Sequence, residues 1–307
     1  MNLPRKTVMT KLMLVAAAAM CGTATFAAPQ PRCAAAQGWN FDAAASDEFE
    51  GTRLDGEKWH DWCASFPGRP STGESGSPLI SGFEFDPHNV RVDGGELVLE
   101  SRRMREEEAT CQLRYTRRGP YRTAIVKAAK KTFYGYYEIE AKVGASCASS
   151  AFWLYDPLSD NPSRKFAAGD TSEEIDIFEL VGRPDAANPS NDWSKTYCMN
   201  CHVMLTPYLE GTVYGGRKEL PSQQCKHEPL GFNPSDGYHV YGLLWTAGEM
   251  VWYVDGKEFF RRPNDHFKRP LHVTFDSEIF PTWFGMPDDR DLPSRFRIRY
   301  FRHWKQP

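Results

Sequence analysis

The sequence predicts an all-β protein, a β-jelly-roll sandwich of two antiparallel sheets. Three observations predict it. Short segments alternating apolar and polar residues recur along most of the chain, turn residues separate them, and no stretch keeps a 3.6-residue period long enough for a globular helix. With 307 residues and 41% hydrophobic content the chain can bury a sizeable core.

Taken in order, residues 1–27 come first. Arg5, Lys6 and Lys11 precede the apolar run 12–21, and small residues follow in TATFAAPQP, the pattern of a secretory signal peptide cut near Ala27 or Ala28. That run is about half the ~20 apolar residues a membrane span needs. The protein is therefore expected to be secreted, extracellular or periplasmic, with no membrane partner after cleavage. Residues 28–38, rich in Ala, Pro and Gln, read as a short disordered lead, and 39–307 as a single domain.

Within that domain 89–103 reads as a hairpin turning at Asp93-Gly94-Gly95. In 134–143, Tyr137, Ile139, Ala141 and Val143 alternate with Glu138, Glu140 and Lys142. Segments 149–156, 173–180, 201–205, 238–245, 250–260, 271–276 and 296–304 continue the strand series.

Charge narrows the partners. Loss of residues 1–27 removes three positive charges and moves the formal net charge from −3 to −6. Duplex binding needs a basic face, so no nucleic-acid partner is expected, and Arg102-Arg103 and Lys130-Lys131 read as solvated strand edges. Seven cysteines remain: Cys33, Cys63, Cys111, Cys147, Cys198, Cys201 and Cys225. Export favours disulfides among them, but an odd number leaves at least one outside any internal pair.

The stretch SEEIDIFELVG (172–182) poses a parity problem. Glu174 and Asp176 share a strand face, yet Glu179 lies five residues beyond Glu174 and so falls on the opposite one. One residue looped out between Asp176 and Glu179, a β-bulge, puts all three acids on one face. It leaves Ile175, one of Ile177 and Phe178, and Leu180 for the core. Three clustered carboxylates repel each other, so folding gains nothing from them. Glycosidic bond cleavage needs such a set. One carboxyl attacks the anomeric carbon, a second protonates the leaving oxygen, and a third keeps their ionisation states apart.

These residues resemble the active-site signature of glycoside hydrolase family 16 in its bulged form. SDEFEGTRLDGEKW (46–59), NVRVDGGELVLESRR, FYGYYEIEAKV, ASSAFWLYD and DGYHVYGLLWTAGEMVWYVDG (236–256) resemble further family segments in the same order. The resemblance covers roughly 39–305. It implies a jelly roll with a long concave substrate cleft and a retaining endo-hydrolase acting on a polysaccharide, with Glu174 as nucleophile, Glu179 as acid/base and Asp176 tuning the two. A monomer is expected, with no cofactor. The family's structural calcium commonly uses an aspartate in the last strand, where this chain has Arg299. A guanidinium cannot ligate a cation, so that site is expected to be lost, with Arg299 pairing instead with an acid near Asp47 or Glu48.

Sugar rings stack on aromatic faces, and Trp153 and Tyr155 share parity against Phe152 and Leu154. The resemblance puts Trp153 beside the scissile bond and His202 over the cleft. Glu278 and Trp283 in FDSEIFPTWFG resemble a segment of the agarase and carrageenase branches, and FPGRP (66–70) resembles a Trp-x-Gly-Arg segment of the same branches. These favour a red-algal galactan (agarose, porphyran or carrageenan) over the alternative, a laminarin-type β-1,3-glucan. Arg69 and Arg183 are candidate cationic contacts for sulfated chains.

Three rival readings are available. Cys198-Met-Asn-Cys201-His202 spells the attachment pattern of a c-type haem, although residues three apart on a strand face opposite ways. Cys198, Cys201, Cys225 and His227 could form a zinc site. A carbohydrate-binding module without catalysis is the third, and the intact acids oppose it.

Overall fold

A computed structural model describes residues 28–61, 82–110, 120–156, 171–205, 218–219 and 226–307. Its strands, in chain order, are β1 (Asn40–Phe41), β2 (Trp59–Asp61), β3 (Phe83–Phe85), β4 (Val90–Val92), β5 (Leu97–Arg103), β6 (Tyr121–Ala128), β7 (Gly135–Lys142), β8 (Ser150–Tyr155) and β9 (Thr171–Leu180). They continue as β10 (Thr196–Leu205), β11 (Lys218–Glu219), β12 (Lys226–Pro229), β13 (His239–Trp245), β14 (Glu249–Val254), β15 (Lys257–Pro263), β16 (His272–Ser277) and β17 (Ser294–Lys305).

The strands form the expected jelly-roll sandwich. The convex sheet runs β4-β5-β17-β7-β13-β14-β15, all antiparallel, with β1 added along the end of β17. The concave sheet runs β2-β6-β16-β8-β9-β10, and β11 and β12 share the outer edge of β10. The end of β5 pairs with β6 and joins the two sheets along one side, and β3 lies parallel beside β6. One apolar core fills the space between the sheets, with Tyr137, Ile139 and Leu243 from the convex sheet meeting Phe152, Phe178 and Phe275 from the concave one. Among the described residues no helix is long and apolar enough to cross a membrane.

Turn chemistry sets the hairpins. The β4–β5 turn places Gly94 at φ +65° and Gly95 at +78°, as expected from Asp93-Gly94-Gly95. Residues 250–260, expected as one segment, are a hairpin: Asp255 at φ +50° and Gly256 at +77° turn β14 back into β15. The Asp-Gly pair supplies the left-handed conformation that a tight antiparallel return needs.

Two expectations require correction. Residues 28–38 are not a disordered lead but lie against the convex sheet. Cys33 and Ala36 are buried with Tyr136, Leu244, Val251, Tyr253 and Trp304, an apolar patch that would otherwise face water. The backbone of this segment is fixed at two points: Trp304 Nε1–H donates to the Pro29 carbonyl (2.9 Å), and the Arg32 N–H donates to Glu138 (2.8 Å). Glu138, which alternation assigns to the solvent side, is thereby fully buried; it also accepts from Tyr136 and Tyr300 hydroxyls, both at 3.0 Å. Burial raises its pKa.

Arg299 is the second. Its guanidinium lies over the Tyr238 ring (3.7 Å) and bonds Glu140 (3.1 Å), with Glu96 at 3.5 Å. Glu48 is taken by Arg302 in a two-point contact of 2.8 Å each, and Asp47 accepts from Trp59 Nε1–H. Register is the reason: Glu140 pairs with Tyr300 next to Arg299, whereas Asp47 bridges Phe301 and Glu48 is already engaged by Arg302.

Candidate active site

β9 is built as the parity argument requires. Against β8, Glu174 faces Tyr155, Asp176 faces Trp153 and Glu179 faces Ala151. The three partners are spaced by two, so the three acids share one face of the sheet, the concave one. Phe178 faces Phe152, which leaves Ile177 as the extra residue of a bulge between Asp176 and Phe178. β10 repeats the pattern with His202, Asn200 and Cys198 opposite the same three acids.

Apolar burial enforces the irregularity. Ile175, Ile177, Phe178 and Leu180 are all buried in the sandwich, so both bulge residues turn inward, not one of them. Burying four such side chains stabilises by roughly 6–12 kcal/mol at about 1.5–3 kcal/mol each. A regular strand would expose Phe178 and Leu180 and bury Glu179 instead. The bulge also frees backbone carbonyls from the ladder, and two core side chains satisfy them: the Tyr197 hydroxyl donates to Ile177 O (2.8 Å) and Trp252 Nε1–H to Asp176 O (3.1 Å). Gly182 follows β9, where a Cβ would sit 2.4 Å from the Gly144 carbonyl oxygen.

On the concave face His202 Nε2 lies 3.5 Å from Asp176 Oδ2 and 3.9 Å from Glu174 Oε1. Polar atoms of these three residues converge within 4.8 Å of one another. Glu174 and Glu179 are half-buried and Asp176 is buried. The Glu179 carboxyl is pushed well above the usual carboxylate range, first by burial and then by the negative charges of Asp176, Glu174, Glu278 and Asp276. The carboxyl with the raised proton affinity thus stands in line with two other acids on one wall.

The other expected site residues are distributed around this row. Trp153 is 8% exposed, and its Nε1–H donates to Asp276 Oδ2 (2.8 Å); half-buried Tyr155 has its ring 5.2 Å away. Phe152 and Leu154 enter the core, as expected from parity. Glu278 is buried beside Ser149, whose hydroxyl accepts from the Glu278 N–H at 3.0 Å. Half-buried Trp283 stacks on Phe284 at 4.1 Å, near Phe280 and Trp193. Arg183 is exposed just past β9, its N–H bonded to Ser146 O. Arg69 lies outside the described residues, as do Cys63, Cys111 and Cys225.

Sequence reasoning missed Asp276 and Trp193. Asp276 was findable, since it stands two residues before Glu278 and so on the same face. Trp193 sits in a loop, where no period marks it.

The haem and zinc readings fail on β10. Cys198 packs with Val181 and Phe284 on one side of the sheet, while Cys201 is buried in the core on the other, so the two sulfurs cannot serve one ligand. Cys33, Cys147 and Cys201 are buried free thiols, and burial raises the pKa of each.

Residues 39–306 match the family model described as β-porphyranase A–D, glycoside hydrolase family 16 domain. β-Porphyranase B of Zobellia galactanivorans is 29% identical over 228 residues, covering 72% of this chain and 67% of that protein. β-Porphyranase B of Phocaeicola plebeius is 26% identical over 284 residues, covering 87% and 83%. Among solved structures, a κ-carrageenase of Zobellia galactanivorans superposes with a TM-score of 0.64 at 22% identity, over 91% of this chain and 100% of that one. With its acidic bulged strand on the concave face of a jelly roll and a family match over nearly the whole described chain, this protein belongs to glycoside hydrolase family 16, in the β-porphyranase A–D group.

Proposed function

We propose that the chain is a secreted, monomeric, retaining endo-glycosidase that cleaves β-glycosidic bonds in a red-algal galactan. The observation that carries it is the bulge of β9, which aligns Glu174, Asp176 and Glu179 on one concave wall, where burial and the neighbouring acids raise the proton affinity of Glu179. In the first step the Glu174 carboxylate attacks the anomeric carbon while Glu179 gives its proton to the leaving glycosidic oxygen, forming a glycosyl ester and releasing the first product. In the second, the Glu179 carboxylate takes a proton from water, whose oxygen displaces Glu174 and restores both groups. Asp176 stands between them and disfavours a second negative charge at Glu179. His202 stands beside both the Glu174 and the Asp176 carboxylates.

Trp153, Tyr155, Trp283 and Glu278 supply aromatic surface and polar contacts for the sugars, and Arg69 and Arg183 cationic ones. The porphyranase names of the relatives support the galactan over a β-1,3-glucan. Secretion rests on the N-terminal segment 1–27.

The test is incubation with agarose, porphyran, carrageenans and laminarin, followed by sizing of products and NMR of the first-formed anomer. The expected result is internal cleavage of a galactan with the β-anomer appearing first, and loss of about 10³-fold or more of turnover in Glu174→Ser. Cleavage of laminarin alone refutes the galactan, a first-formed α-anomer refutes retention, and unchanged turnover in Glu174→Ser refutes the nucleophile.

A further inference from the structure

Three strands of the concave sheet carry a row that starts at Glu179 and runs beyond the family signature. Ala151 of β8 faces Glu179 on β9 and Asp276 on β16. The row Glu179, Ala151, Asp276 therefore lies on one face, the two acids about 10 Å apart along the backbone hydrogen-bonding direction, with only a methyl group between them. The next row is Asp176, Trp153, Thr274, so Asp276 stands diagonal to Trp153 and receives its indole N–H at 2.8 Å. Asp276 is 3% exposed.

We propose that Asp276 is a positioning residue of this site, fixing the indole of Trp153 and presenting a negative charge to the Glu179 carboxyl across Ala151. The inference rests on the glycosidase reading above, with Glu179 as acid/base. Holding an indole needs only a neutral acceptor, which Asn supplies without burying another charge among acids. A carboxylate placed there acts through its field, and that field favours the protonated form of Glu179. The other groups around Glu179 are Asp176 and Glu174 on β9, Glu278 beyond β16, and on β10 the Cys198 thiol directly opposite, with His202 further along beside Glu174 and Asp176. The four carboxylates act in the same direction, and His202 opposes them only when protonated. Removing one charge at this separation moves the proton affinity by on the order of one pH unit at an effective dielectric near 20.

Two substitutions separate the two roles. Asp276→Asn keeps an acceptor for the indole and removes the charge. It is expected to leave KM within about twofold of wild type and to move the alkaline limb of the kcat/KM profile about one pH unit lower. Asp276→Leu removes the acceptor. It is expected to raise KM about tenfold and to shift the indole N–H resonance of Trp153, identified by its absence in Trp153→Phe. Should the leucine variant not fold, Asp276→Ser, too short to reach the indole, replaces it. An alkaline limb unmoved in Asp276→Asn, or a Trp153 indole resonance at its wild-type position in the leucine or serine variant, overturns the proposal. If the wild-type protein hydrolyses no polysaccharide, the functional reading fails first, and the indole resonance alone decides whether Asp276 positions Trp153.

Discussion

Replacing Tyr197 with Phe tests whether the bulge of β9 is held by the core behind it. Tyr197 is fully buried and gives its only hydroxyl proton to the Ile177 carbonyl. The variant keeps the ring and its edge contact with Phe259 (5.0 Å) but leaves that carbonyl without its donor. Loss of a neutral hydrogen bond costs about 1 kcal/mol, and stranding the buried acceptor brings the total to roughly 2 kcal/mol. For a domain of this size that lowers Tm by roughly 3–4 °C.

Trp252→Phe removes the second lock, the donor to Asp176 O, and some indole volume with it, for about 3 kcal/mol. Because both locks act on one bulge, the double variant should also lose activity: a displacement near 1 Å between Asp176 and Glu179 costs about 10²-fold in kcat/KM. Urea unfolding followed by tryptophan fluorescence, paired with reducing-end assays, measures both. A Tyr197→Phe protein within 0.5 kcal/mol of wild type, or a double variant with wild-type turnover, would refute the claim that these side chains hold the acids in line.

Two further outcomes are expected. Asp42 accepts from buried His303 (3.1 Å) and from Lys305 (2.6 Å), and these partners hold its carboxyl well below its ordinary value of 3.8. A lowered folded-state pKa contributes stability above the unfolded value and loses it as pH falls. Asp42→Asn should therefore cost about 2 kcal/mol at pH 7 and progressively less below about pH 4, read by urea titrations at each pH. Removing residues 28–38 uncovers Tyr136, Leu244, Val251 and Trp304 and takes the Arg32 N–H from Glu138. It should lower Tm by several degrees, and Glu138→Gln in the shortened chain should recover part of the loss above pH 5, where an uncovered carboxylate is charged against apolar neighbours; an unchanged Tm would show that the segment contributes nothing.

The strands that were legible in the sequence are those whose two faces differ in chemistry, even where both are largely buried. β7, β8 and β9 alternate because each has a core side and another side, so period two survives in the residue order. β6 was missed for the converse reason: it is buried along its whole length, yet Arg122, Thr123 and Lys127 interrupt its apolar residues, so it shows neither alternation nor a continuous apolar run. The 28–38 segment was misread because composition reports what a stretch contains and not what it covers; its few apolar groups suffice to close a patch contributed by residues from Tyr136 to Trp304, far along the chain.

The residue order by itself determined the jelly roll, the need for a bulge between Asp176 and Glu179, and the family, because these depend on periodicity and local spacing. Only the tertiary structure decided which carbonyls Tyr197 and Trp252 hold, that Asp276 stands beyond Ala151 from Glu179, and which acids Arg299 meets. Those contacts join strands distant in the chain, and their register is set by side-chain packing across two sheets, which no stretch of sequence contains on its own.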